Sequence, residues 1–252
     1  MVRNNHFESN RKKLDQLLRP EEGSNDMATL RRLLDYAETM ARIENSIVVI
    51  SDMSDGKSHI AAGEFARSLG LHGYRLENSI WEKRILALMS PEEQEQKYIN
   101  ELRFFHFVKH LPKERKSQFH LMSSLRFRFA DGTVRDVLHR MHYIYDESNS
   151  NVRYALCIYS PLLLDFKSRS LIVDSATGIT EEISSSNSEK ILSKRERQVL
   201  SLIDNGMKSA EIANILNISI HTVSRHRQEI ISKLQVKNTH EACRLAKSMG
   251  LI

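Results

Sequence analysis

The 252-residue chain has only two cysteines, Cys157 and Cys243. They lie far apart and form no CxxC spacing, which removes a disulfide framework and a thiol redox motif from consideration. Both are expected as small buried residues in a reducing cytoplasm. MVRNNHFESNRKK, the first 13 residues, lacks the apolar stretch of a signal peptide. No window approaches the ~20 apolar residues that span a bilayer. A soluble, cytoplasmic chain with no membrane partner is the expectation. Also missing are a Gly-rich phosphate loop, a nucleophile elbow, a cluster of metal ligands and internal repeats, so no enzymatic activity is expected. At 40% hydrophobic content the chain is long enough for two domains with their own cores.

Charge is unevenly placed. Residues 191–252 hold ten Lys or Arg against five Asp or Glu, whereas the first 190 residues hold 27 of each. The whole formal excess of +5 therefore sits at the C-terminal end, and a basic end on a neutral body suits phosphate contact. The same segment reads as four short helices. Ser193, with Glu196 three residues on as a capping-box partner, opens the first, which stops at Asn205-Gly206. Ser209 opens the second, Ser219 the third after the turn Asn217-Ile218, and Asn238 or Thr239 the fourth. Two helices, Ala210 to Leu216 and Ile220 to Leu234, flank a turn of a few residues, the layout in which the second helix enters the DNA major groove.

Helical spacing puts Val223, Ile230 and Leu234 on one side of that third helix, with His226 at the edge of the arc. The opposite arc carries His221, Ser224, Arg225, Gln228 and Ser232. Such a face is often just solvated. Here it follows a tight turn and holds Arg, which pairs with guanine O6 and N7, and Gln, which pairs with adenine N6 and N7. Lys194, Arg195, Lys208, Thr222, Arg227, Lys233 and Lys237 are the candidates for phosphate contact. The segment resembles the LuxR/NarL family of helix-turn-helix domains through LSKRERQVL, Gly206, SAEIANILNIS, TVSRHRQEIISKL and Glu241-Ala242. The resemblance implies a four-helix domain, DNA contacts at Ser224, Arg225 and Gln228, phosphates near Thr222 and His226, and a last helix, about Thr239 to Ser248, that often forms a dimer contact. The family often has Lys where this chain has Ser224 and Gln228, so the chain leans on Arg225 and Arg227 for charge.

The middle of the chain has a different texture. IVVISDM (residues 47–53) is an apolar strand ending at Ser54-Asp55-Gly56, with Lys57 to Ala61 returning as a second strand. Glu64 to Leu69 and Ser79 to Met89 read as helical, and Pro91 starts a longer helix running to about His110. Leu121 to Phe129, Thr133 to Tyr145 and Arg153 to Tyr159 then form an antiparallel meander joined by Asp131-Gly132 and an Asn-rich turn. This order, with FRFADGTVRDVLHRMHYIYDESNSNVRYALCIYSPL as its closing sheet, resembles a PAS domain over residues 44–166. The resemblance implies a sensory or dimerising role and a cavity for a small molecule, or a fold filled by its own side chains and used only for protein contact. No cofactor is identified, and an unknown small-molecule ligand is the candidate occupant.

Other readings are weaker. No NCR motif for a flavin occurs. His106 and His110 share a helix face but have no third ligand nearby, and His139 and His142, three apart on a strand, point to opposite faces. An acyl-homoserine-lactone pocket would be rich in Trp, and Trp81 is alone. Asp52 at the end of a strand offers the alternative of a phosphorylated receiver domain, although no acidic pair precedes it to hold Mg²⁺. Asn25-Asp26 caps a helix from Met27 to Ile43 with a stripe of Leu30, Leu33, Leu34, Ala37, Met40 and Ala41. The stripe suits either covering the sheet or pairing with its twin in a dimer, and pairing is the preferred reading. Ser170 to Val173 and Ile179 to Ile183 flank a hairpin turn, followed by the flexible polar linker Ser184 to Glu189. The expected architecture is a helical segment (1–43), an α+β PAS-like domain with an antiparallel sheet and flanking helices (44–166), a hairpin and linker (167–190), and an all-α four-helix LuxR-type domain (191–252). Expected partners are double-stranded DNA and a second copy of the chain, with RNA polymerase as a further candidate.

Overall fold

Ile47–Asp52 (β1) is apolar at consecutive positions rather than alternate ones, so both of its faces demand cover, and all six residues are buried. In the computed structural model β1 lies inside one antiparallel sheet. The structure describes residues 14, 17–18, 27–109, 111–146, 151–163, 169–183, 191–234, 236, 238–248 and 250–252. The helical cap at Asn25-Asp26, the centre of the turn after Tyr145, the linker Ser184 to Glu189, His110 and Lys237 lie outside these residues.

Helix α1 (Met27–Ile43) precedes β1, β2 (Lys57–Ala62), the short α2 (Phe65–Ser68), β3 (Leu76–Glu77) and α3 (Lys83–Leu86). Then follow α4 (Pro91–Lys109), α5 (Lys113–Lys116), β4 (Phe119–Arg128), β5 (Val134–Tyr145), β6 (Val152–Pro161), β7 (Ser170–Asp174) and β8 (Thr180–Glu182). The eight strands run in the order β3-β2-β1-β6-β5-β4-β7-β8. The stretch from Ser79 to Met89, expected as one helix, keeps only the four residues of α3 as α-helix. The hairpin assigned to the inter-domain segment pairs along β4, Leu121 opposite Ile172, and so extends the sheet.

Each face of the sheet is covered. On one side α4 lays Tyr98, Leu102, Phe104, Phe105 and Val108 against Leu121, Phe127, Met141, Tyr143 and Tyr159. Each fully buried large side chain of this kind contributes about 1.5–3 kcal/mol. On the other side, Val48, Ile50, Ala61, Tyr154, Leu156 and Ile158 form a second cluster beneath Leu30, Leu33, Leu34, Ala37, Met40 and Ala41 of α1. This corrects the reading of α1 as a pairing helix: its stripe covers the sheet. The reason is visible in β1 and β6, which are apolar on both faces and would otherwise expose one of them to water. Gly63 permits the close approach, since a Cβ there would sit 2.3 Å from the carbonyl oxygen of Ala41. Glu44, just past α1, pairs with Arg140 on β5.

Asp52 does not sit as a receiver's phosphoacceptor would. Only 3% exposed, it accepts hydrogen bonds from Ser54 N (2.8 Å), Ser54 Oγ (2.7 Å) and Arg153 Nη1 (2.7 Å). All strand pairings are antiparallel, whereas a chain alternating strand and helix gives a parallel sheet. Cys157 and Cys243 are both free and buried. Among the described residues, no helix is long and apolar enough to cross a membrane.

His139 and His142 do point to opposite faces. His139 is fully buried and stacks on Tyr159 at 4.7 Å, while His142 stacks on His120 of β4 at 4.5 Å. Burial first, then His120 and Arg140, bring His142 down to about 4 from the usual 6.5. Burial lowers His139 and His120 as well. A histidine whose folded pKa is depressed takes up its proton more readily in the unfolded chain, so stability is lost as pH falls from 6.5 toward 4. The loss is at most about 1.4 kcal/mol per pH unit for one such group. His142→Gln is expected to shrink the drop in melting temperature between about pH 7 and pH 5; an equal drop in both proteins would refute the assignment.

Candidate nucleic-acid interface

The C-terminal helices are α6 (Lys194–Asp204), α7 (Ser209–Leu216), α8 (Ile220–Leu234) and α9 (Thr239–Ser248). Their starts follow the chemistry of orphan amides. Ser193 Oγ accepts from Glu196 N at 3.3 Å and Glu196 Oε2 accepts from Ser193 N at 2.7 Å, a complete capping box. Ser219 Oγ accepts from Thr222 N at 3.0 Å, and Asn238 Oδ1 from Glu241 N at 2.9 Å. Helix α7 differs from expectation. Its cap position is Lys208, whose amide donates to Glu211 Oε2 at 2.6 Å, and Ser209 is already inside the first turn. Asn217 ends α7 in the left-handed region (φ 51°), and Ile218 N donates back to Ala213 O at 3.0 Å. That closure makes the turn tight enough to set α8 across α7.

Val223, Ile230 and Leu234 have no solvent exposure and fix the roll of α8. With that roll, His221, Ser224, Arg225, Gln228 and Ser232 are all exposed on the far side. Arg225, 72% exposed, donates from Nε to Glu229 Oε1 at 2.9 Å. Glu229 also lies 3.4 Å from His226 Nδ1. Its hydrogen bond from Arg225 lowers its pKa, so the carboxylate stays ionised and orients the guanidinium. Glu229 was not among the sequence candidates, although an Arg–Glu pair four residues apart on one helix was the available signal.

The basic candidates separate into two groups. Lys194 and Lys208 are exposed. Thr222, half-buried, shares a hydrogen bond with Ser219 at 2.9 Å. Arg227, Lys233 and Arg195 are instead engaged within the domain. Arg227 donates to Ser209 Oγ (3.1 Å) and Thr239 Oγ1 (3.2 Å), joining the first turns of α7 and α9. Lys233 Nζ holds both oxygens of Glu196, at 2.7 and 2.8 Å. Arg195 donates to the carbonyl of Leu216 at the end of α7, where a cation meets the negative pole of the helix. Among the described residues, no group of three or more His, Cys, Asp or Glu is placed to hold a metal.

Residues 190–246 match the family described as bacterial regulatory proteins, luxR family. Over 74 residues the chain is 40% identical to the oxygen regulatory protein NreC of Staphylococcus epidermidis, covering 29% of this chain and 34% of that one. Over 72 residues it is 42% identical to the uncharacterized response regulatory protein YgeK of Escherichia coli, covering 28% and 49%. The chain thus spans about a third of the length of the first of these curated relatives. Among solved structures, the phage VqmA–DPO complex is similar at 14% identity and a TM-score of 0.35, covering 90% of this chain and 91% of that one. Escherichia coli SdiA is similar at 16% identity and a TM-score of 0.25, with 98% of each chain covered. At those scores the likeness carries no argument about this chain. The family match covers α6 to α8 and most of α9, the helices that hold the helix-turn-helix layout.

Proposed function

We propose that the protein is a sequence-specific transcription regulator that binds DNA as a homodimer. The observation that carries this reading is the exposed face of α8 behind a tight turn, within the segment that matches the luxR family. His221, Ser224, Arg225 and Gln228 address base edges, and Lys208 and Thr222 address phosphates. Arg227 and Lys233 act from inside the domain by holding α8 in place. The N-terminal domain is read as a PAS-like module, supported by the run β2-β1-β6-β5-β4 with its helices inserted between β3 and β4. A signal received there changes the geometry of the dimer and with it the spacing of two recognition helices on a pseudo-palindromic site.

The test is selection of bound sequences from a random duplex pool with the full chain, followed by a salt titration on the winner. The expected site has two half-sites about one helical turn apart. The logarithm of affinity is expected to fall steeply with the logarithm of salt concentration. Absence of an enriched sequence, or a flat salt response, would remove DNA from the reading. Deleting residues 1–190, the whole sheet with β7 and β8, is expected to lower affinity for the paired site by roughly tenfold or more, because two half-site contacts are no longer linked. Unchanged affinity would end the proposed control by the N-terminal domain.

A further inference from the structure

The interior of the N-terminal domain holds a charged cluster that DNA recognition does not use. Glu82, Lys97 and Glu101 are 2%, 3% and 3% exposed, although each carries an ionisable group. All three line a small, partly open cavity of about 20 Å³ that also touches Trp81, Tyr143 and Leu14. Lys97 Nζ donates to Glu101 Oε1 one turn along α4, which satisfies that carboxylate. Glu82 has no ion pair of its own among the described residues; the Lys97 charge and a hydrogen bond from its own backbone act on it, and Glu101 and Glu77 repel it. The hydroxyl of Tyr143 is likewise buried without a hydrogen-bond partner. Two carboxyls face one ammonium, so the cluster lacks one positive charge. Burial answers this by raising the pKa of Glu82 and favouring its neutral form. A ligand that brought a cation would let Glu82 ionise.

The walls fit such a ligand. Trp81 and Tyr143 line the cavity, aromatic rings attract organic cations, and a buried charge is tolerated when it is paired. That volume is room for little more than one water molecule. Leu14 and Leu18, 1% and 6% exposed, form part of the wall and come from helical residues ahead of α1. These side chains fill the place that a ligand would need.

We infer that this cavity binds a small organic amine as its ammonium ion, recognised by the Glu82 carboxylate, the unpartnered hydroxyl of Tyr143 and the aromatic side chain of Trp81, with Leu14 and Leu18 displaced on entry. The inference deepens the reading of the N-terminal domain as a sensor and rests on it.

Trp81 is the single tryptophan of the chain, so its emission reports this cavity alone. The experiment titrates the full chain with benzylamine and isobutylamine, each against the alcohol of the same shape. At least one amine is expected to change the emission saturably, with its alcohol at least about tenfold weaker, as expected for a lost charge-assisted contact. Glu82→Gln, a neutral isostere of the protonated acid, is expected to keep the fold and to weaken amine binding about tenfold or more. Should that variant fail to fold, Tyr143→Phe decides, with an expected weakening of roughly three- to tenfold. No saturable response to either amine, an equal response to an alcohol, or full binding by the variant that folds would each overturn the inference and leave the sensor reading standing. Amine binding abolished by Glu82→Gln, yet without effect on DNA affinity of the full chain, would support the site and overturn the sensor reading.

Discussion

Glu196→Ala is expected to leave the C-terminal domain barely stable and to weaken DNA binding severely while the N-terminal sheet survives. Glu196 is 1% exposed and carries three obligations at once: it accepts from Ser193 N and from Lys233 Nζ through both of its oxygens. Losing the cap costs about 1 kcal/mol. Losing hydrogen bonds from a charged donor costs about 1.5–3 kcal/mol more, toward the lower end here because Lys233 is 37% exposed and regains water. A domain of some sixty residues has only about 3–5 kcal/mol in reserve, so the sum consumes most of it. Calorimetry of the full chain should show an early transition absent from the parent, and a gel shift should show a severely weakened complex. Glu196→Gln keeps the shape and the acceptor oxygen, and should fall between the two. A parent-like melting profile for Glu196→Ala would show that the capping box and ion pair are ornamental.

Arg225→Ala should produce the largest change that leaves the fold intact. Arg225 is exposed at the middle of the free arc of α8, and its one intramolecular bond, to Glu229, holds the guanidinium rather than burying it. A bidentate contact to a base contributes about 1–3 kcal/mol of discrimination, so affinity for the selected site should fall roughly 5- to 150-fold while binding to unrelated duplex changes little. Lys208→Ala should weaken all sequences alike and lower the salt slope by about one. Lys233→Ala is the informative contrast: the structure commits its ammonium to Glu196, so it should lower the melting temperature and leave the slope unchanged. A slope reduced by one in Lys233→Ala would return that residue to the phosphate contacts.

That contrast marks the limit of what the sequence discloses. Caps act over three or four residues, so Ser193, Glu196, Ser219 and Asn238 are legible from local spacing. The roll of α8 follows from Val223, Ile230 and Leu234 for the same reason. The partners of Arg227 and Lys233 lie 12, 18 and 37 residues away, and long basic side chains on the flank of a helix look the same whether they face phosphate or a neighbouring helix. Lys97 and Glu101 are four apart on a helix, a spacing shared by exposed ion pairs, and only the arrangement of α4 over the sheet reveals that both are enclosed. For α1 the decisive signal lay in its partner: the unbroken apolar run of β1 required a cover that the helix itself did not announce. The pairing of β7 with β4 links segments nearly fifty residues apart and has no local signature.

The sheet also ends in a particular way on both sides. Its outermost members are β3, two residues long, and β8, three residues long with Glu181 and Glu182. Such stubs give an incoming strand almost nothing to zip onto, and the carboxylates repel a like edge. Growth into fibres by lateral strand addition is thereby shut off at both margins. Among the described residues that leaves side-chain packing of helices or faces as the route by which two copies would meet, a kind of contact whose strength can be graded and reversed by a small rearrangement. For the regulator proposed above, that is the more useful way to associate.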